Sequence, residues 1–301
     1  MSSNTAAVNL NAAVNTNLNA AVNTTNFNSN VSGDFAFTRI PLDICNIVAE
    51  YALPLKLLDW ININKINWHH LSGNSAAIKL LEENPDKINW GILSKNTAAK
   101  AVRLLKKNPE KIDWMFLCRN TAVGAVRLLE KNPDKIDWFW LSSSPGAIHL
   151  LEKNPDKINW NCLSLNPAAI ELLEKNPDKI NWHFLSGNPA AMQLLEKNPD
   201  KINWNWLSLN PAAMWLLEKN PENIVWDYLS ENQAVKAVRL LEKNQDKINW
   251  RHLSVNPAAM ELLKLNSDKI DWMWLSENSA IFEKDLSRIK QMGEYLAKFK
   301  N

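Results

Sequence analysis

The chain has 301 residues, 46% hydrophobic and 22% charged, which is ample for a buried core and excludes disorder along its whole length. Lys+Arg 34 against Asp+Glu 32 leaves a net charge of +2, so no whole-protein field draws in nucleic acid or an anionic membrane. The 15 Trp against 3 Tyr and 7 Gly are unlike an ordinary enzyme and point to internal copying, while Cys45, Cys118 and Cys162 are too scattered for a disulfide framework or a CxxC clamp and point to a reducing compartment.

In chain order, residues 1–33 are an Asn-rich low-complexity tract in which AAVN recurs at Ala6, Ala12 and Ala20, and a disordered arm is expected there. No Lys or Arg precedes Arg39, and the tract holds no apolar run that could form a signal-peptide core. No later window approaches the roughly 18 apolar residues of a membrane span, so a soluble intracellular protein is expected. Residues 34–61 read as an N-terminal capping segment, with a helix from Pro41 to about Ala52 and Pro54 to Leu58 as a degenerate long helix.

Over residues 62–278 the wording I-N/D-W-x-x-L-S repeats, placing Trp at 68, 90, 114, 138, 160, 182, 204, 226, 250 and 272, ten units in all. The period is 22 with an optional two-residue insertion, which indicates a solenoid. Each unit predicts two helices. In Pro155 to Asn176, Asn159 is placed as the cap of a very short helix, with Asn154-Pro155-Asp156-Lys157 as a tight turn before it. Asn166 caps the longer helix, Pro167 suits its first position, and Ala169, Leu172 and Leu173 share one face. The cap before the repeat Trp is Asn or Asp in nine of ten units; Val225 is the exception and predicts a frayed or shifted start. In the 24-residue units the long helices are expected to begin at Thr97, Thr121 and Gln233, and their extra length, about 3 Å, to bend the superhelix. Residues 279–301 read as a longer amphipathic C-terminal capping helix, because a terminal repeat has one uncovered face. The fold class is therefore all-α: a solenoid of about ten two-helix repeats, one very short helix alternating with one longer helix.

The alternation of a very short and a longer helix with Leu-Leu and Asn-Pro punctuation resembles the leucine-rich-variant solenoids, from which a Trp in every unit departs. The wording LLEKNPDKINWxxLSxNPAAI resembles the tandem-repeat proteins of large DNA viruses of amoebae, a likeness that implies an origin and an architecture but no activity. Ile40-Pro41-Leu42-Asp43-Ile44, with Ile47 and Tyr51, resembles the first helix of an F-box, which implies docking to a ubiquitin-ligase adaptor; a plain capping helix is the alternative.

No enzyme constellation is present: there is no Gly-rich phosphate loop, GxSxG, HExxH or CxxC, so no catalytic, cofactor-binding or metal residue is assigned. Of the five histidines, all but His149 fall at the two variable positions after the repeat Trp, and they are expected to be surface residues where the repeat tolerates substitution. The second of those positions is aromatic in six units: Phe116, Trp140, Phe184, Trp206, Tyr228 and Trp274. These form the candidate partner-binding row, with the alternative that they line the solenoid core. The first variable position reads His69, Gly91, Met115, Phe139, Asn161, His183, Asn205, Asp227, Arg251 and Met273, a list no packing constraint tolerates, and is expected to be exposed. The expected function is a non-enzymatic scaffold that binds a protein partner. The alternatives are modular binding of single-stranded nucleic acid, disfavoured by the lack of a basic groove, and a ubiquitin-ligase substrate adaptor.

Overall fold

The computed structural model describes residues 55–285. The chain divides into two units, Met1–Glu50 and Tyr51–Asn301, and every described residue belongs to the second. The low-complexity arm, the F-box-like stretch and the part of the C-terminal cap beyond residue 285 lie outside the described residues.

The described chain is an all-α tandem array. In each repeat the Asn-Pro-Asp-Lys segment, expected as a turn, forms a single 3-10 turn such as Pro155–Lys157, and Ile158 follows in extended conformation. The Trp helix comes next, four to six residues long, as in Trp160–Ser164. Its cap works as the sequence requires: Asn159 Oδ1 accepts from the amide of Cys162 at 3.0 Å, satisfying a donor that the first helical turn cannot. The longer helix of a 22-residue unit begins with a second 3-10 turn, Pro167–Ala169, before an α segment, Ile170–Glu174. Its end is sealed by Asn176, whose Nδ2 donates to Leu172 O at 2.8 Å.

Two expectations fail locally. Val225 has no side-chain cap bond, yet its helix starts at Trp226 in register with the others and runs to Glu231. Its amide donates to Ser208 Oγ at 3.0 Å and its carbonyl accepts from Leu229, so the neighbouring unit holds the backbone that the missing side chain does not. In the 24-residue units the long helices are Ala99–Lys107, Val123–Glu130 and Val235–Glu242, two residues later than expected. The insertion replaces the initial 3-10 turn with continuous α-helix.

The core is a double file of leucines. The Leu of each Leu-Ser pair, from Leu71 to Leu275, is fully buried, as is the second Leu of each Leu-Leu pair from Leu81 to Leu263. Each such side chain contributes roughly 1.5–3 kcal/mol of burial. Between the files lies a small residue, Ala169 and its counterparts, also fully buried. The ten repeat Trp side chains are half-buried and pack against this core.

Two short stretches at the ends of the array differ from expectation. Leu55–Leu57, expected as helix, is a strand (β1), and Phe282–Lys284, expected inside the C-terminal helix, is a second strand (β2). The two pair antiparallel, Leu55 opposite Lys284, Lys56 opposite Glu283 and Leu57 opposite Phe282. Leu58 N then donates to Ile281 O at 2.9 Å, and Asn67 N to Ser276 Oγ at 2.9 Å. The first unit thus meets the tenth as every unit meets its neighbour, and the array closes into a ring. The physical reason is that each unit carries donors on one side and matching acceptors on the other. Unit ten presents the acceptors unit one requires, so no polar terminal repeat is needed.

Candidate interaction surface

Two hydrogen-bond ladders join the units. In the first, the amide of the cap residue donates to the Ser of the preceding Leu-Ser pair, as Asn181 N does to Ser164 Oγ at 3.0 Å. In the second, the Asn that caps each longer helix uses the other half of its carboxamide. Asn188 Oδ1 accepts from Ala190 N at 3.0 Å, while its Nδ2 donates to Ser164 O and Asn166 O of the unit before, each at 3.0 Å. These Asn side chains are buried in all nine units that have them, each with its carboxamide bonded, so a polar ladder runs through the interior. Sequence reasoning found the capping half of this role and missed the joining half. The available signal was a fixed Asn and a fixed Ser between freely varying neighbours.

The repeat Trp rings serve the joints as well. In seven of the ten units the Lys of the following turn lies over the indole of the preceding unit, as Lys179 does over Trp160 at 4.5 Å and Lys201 over Trp182 at 4.5 Å. Across the closure, Lys65 lies 4.8 Å over Trp272. The charges taken from the sequence as turn chemistry therefore also bridge units.

The six candidate aromatics, Phe116, Trp140, Phe184, Trp206, Tyr228 and Trp274, are all half-buried, placing them neither in the leucine core nor on a free ridge. Each occupies a shelf between units. Arg119 lies 4.3 Å over Trp140, Phe184 meets Trp206 edge-on with centroids 5.2 Å apart, and Arg251 lies 4.9 Å over Trp274. Trp206 fits because Gly187 precedes it in the neighbouring unit: a Cβ there would stand 2.7 Å from Trp206 Cε3.

The first variable position is exposed in nine of its ten units, with Gly91 half-buried. Several of its side chains nevertheless have a fixed partner, because the cap Asn of the next unit offers a free Nδ2. Asn89 donates to His69 Nδ1 at 2.9 Å, Asn181 to Asn161 Oδ1 at 2.8 Å, Asn203 to His183 Nδ1 at 2.8 Å and Asn249 to Asp227 Oδ1 at 3.0 Å. The three other histidines also bridge units, His70 to Glu277 at 2.8 Å, His149 to Glu130 at 2.8 Å and His252 to Glu231 at 3.2 Å. Three of the five histidines, His69, His149 and His183, are exposed as expected, and all five also contact a neighbouring unit. Among the described residues no group of three or more His, Cys, Asp or Glu is placed to hold a metal ion, and no helix is long and apolar enough to cross a membrane.

Three side chains at this position are large, apolar and without such a partner: Met115, Phe139 and, in the tenth unit, Met273, which is 39% exposed. Met115 and Phe139, in consecutive units, are 44% and 47% exposed, and Phe139 stands edge-on to Trp140 at 4.9 Å. With Arg119 they make a mixed apolar and cationic patch across the joint between the third and fourth units. Compared with protein-family models, curated proteins and solved structures, the chain matches none. The likenesses drawn from the repeat wording stand on that wording alone.

Proposed function

We propose that this protein is a non-enzymatic scaffold, a closed ring whose joints present side chains to a protein partner. The observation that carries the reading is the patch of Met115, Phe139, Trp140 and Arg119. Two large apolar side chains stand exposed in adjacent units, backed by an indole and its stacked guanidinium. Aromatic and Arg side chains dominate the energetics of protein interfaces. Met115 and Phe139 stand on two short capped helices, Trp114–Cys118 and Trp138–Leu141.

The test compares proximity-labelled partners of the full-length protein with those of the Met115→Ser/Phe139→Ser variant, whose substitutions lie outside both ladders. Loss of a defined protein partner in the variant, with an unchanged thermal transition, is the expected result. An identical partner set for both proteins removes this patch as the recognition surface.

A further inference from the structure

The joints are not equivalent, and one of them is weakened in every inter-unit bond that the others share. At the joint between the third and fourth units Cys118 replaces the Ser of the first ladder, so Asp137 N donates to a sulfur at 3.2 Å. A thiol is a weak acceptor. In the second ladder Ser144 replaces Asn. Its side chain is too short to reach the preceding unit, and its Oγ is buried with no hydrogen-bond partner. By the register of the other joints, the carbonyls of Cys118 and Asn120 are those that would receive an Asn amide, and Ser144 gives them none. Beyond apolar packing and the Asp137–Cys118 contact, this joint is spanned by a long contact from Cys118 Sγ to Lys135 O at 3.9 Å, the Arg119 stack on Trp140 and the exposed His149–Glu130 pair.

The closure, where the two ends of the repeat array meet, carries both ladder bonds in full. Asn67 N reaches Ser276 Oγ at 2.9 Å, and Asn74 Nδ2 reaches Ser276 O at 3.0 Å and Asn278 O at 2.9 Å. Glu277 accepts from His70 at 2.8 Å and pairs with Lys95, two units along the ring, at 3.5 Å. Gly73 lets Lys95 pass, since a Cβ there would stand 3.3 Å from Lys95 Cε. The paired strands add their own bonds to these.

We propose that the ring opens at an internal joint, between the third and fourth units, and not at its closure. The opening is a local separation of the Trp138 helix from the Trp114 helix, led by the Asp137 amide leaving Cys118. Met115 and Phe139 flank the same joint, so its opening changes their spacing. That consequence rests on the proposed function; the opening itself does not, and it is read on the protein alone.

The experiment is native-state hydrogen exchange on the full-length chain, comparing protection of the ten amides that cap the Trp helices. The expected result is the lowest protection factor at Asp137, at least about five-fold below those of Asp113 and Asn159, because local opening sets exchange at bonded amides. Introducing Cys118→Ser with Ser144→Asn is expected to raise Asp137 to the level of the other caps. A difference smaller than five-fold at Asp137, or a lower value at Asn67, overturns the proposal. The wild-type profile decides even if the double variant does not fold.

Discussion

Asn74 donates its side-chain amide to the backbone carbonyl of Asn278 at 2.9 Å, joining residues 204 positions apart in the same way that Asn96 joins Asn74 at 3.0 Å. An open solenoid would leave Asn74 facing water. In the ring it is 1% exposed and its loss strands buried carbonyls. Asn74→Ala is therefore expected to destabilise the protein as much as the internal Asn188→Ala, each by about 2–6 kcal/mol at a rate of about 1–3 kcal/mol for each of two stranded groups. Urea unfolding of both variants measures this. A near-neutral Asn74→Ala beside a costly Asn188→Ala would mean that the array is open in solution.

Gly187 and Trp206 are matched in size across their joint. A methyl at position 187 would fall 2.7 Å from the indole, closer than carbon atoms approach, and the ring is held on its other side by Phe184. Gly187→Ala is expected to lower stability by about 1–3 kcal/mol, the usual penalty for overfilling a packed site. Trp206→His in the Gly187→Ala background is expected to recover part of it, since units one and nine carry His70 and His252 at that position. Thermal unfolding of the single and double variants gives the comparison, and additive losses would refute the size-matching argument.

Trp204 faces a turn in which Asn223 stands where the other turns carry Lys. The geometry of the neighbouring joints, with Lys201 and Lys247 each 4.5 Å from their indoles, implies that Asn223→Lys places an ammonium over Trp204. A gain of about 0.5–1 kcal/mol is expected, as for partly exposed cation–π pairs. The urea midpoint should rise in this variant and not in Asn223→Gln. Equal midpoints for the two would assign the change to helix propensity instead.

Core leucines and the caps of the Trp helices were legible in the sequence because each is set within a few residues: Asn159 caps its own helix, and Leu163 and Leu173 follow from periodicity. The joints were not, because their partners lie one unit away. Asn166 looks complete as a cap until its Nδ2 is followed to Ser142 O and Ser144 O. Ring closure was hidden for a stronger reason. It depends on the rotation between successive units summed over ten of them, which no single unit encodes, and the closing strands are three residues each, too short to announce themselves. The aromatic row was found by position, but its half-buried state depends on neighbours such as Arg119 and Gly187, whose pairing with it becomes visible only once the units are stacked.

Cys118 gives a chemical readout of its joint. Burial raises its thiol from an ordinary value of 9.0 to about 11, with the nearby Asp137 carboxylate adding to the rise and the Asp137 amide opposing it. A raised folded-state value means that the stabilisation from this group is complete below pH 9 and is lost as pH rises toward 11. The unfolding free energy of wild-type protein minus that of Cys118→Ser is therefore expected to fall between pH 9 and 11 and to be flat below pH 8. In a Cys45→Ser/Cys162→Ser background at pH 8, iodoacetamide should label Cys118 about 100-fold more slowly than a free thiol, from the reduced thiolate fraction alone, and more slowly still because the group is enclosed. Labelling at the rate of a free thiol would show a joint that is open most of the time.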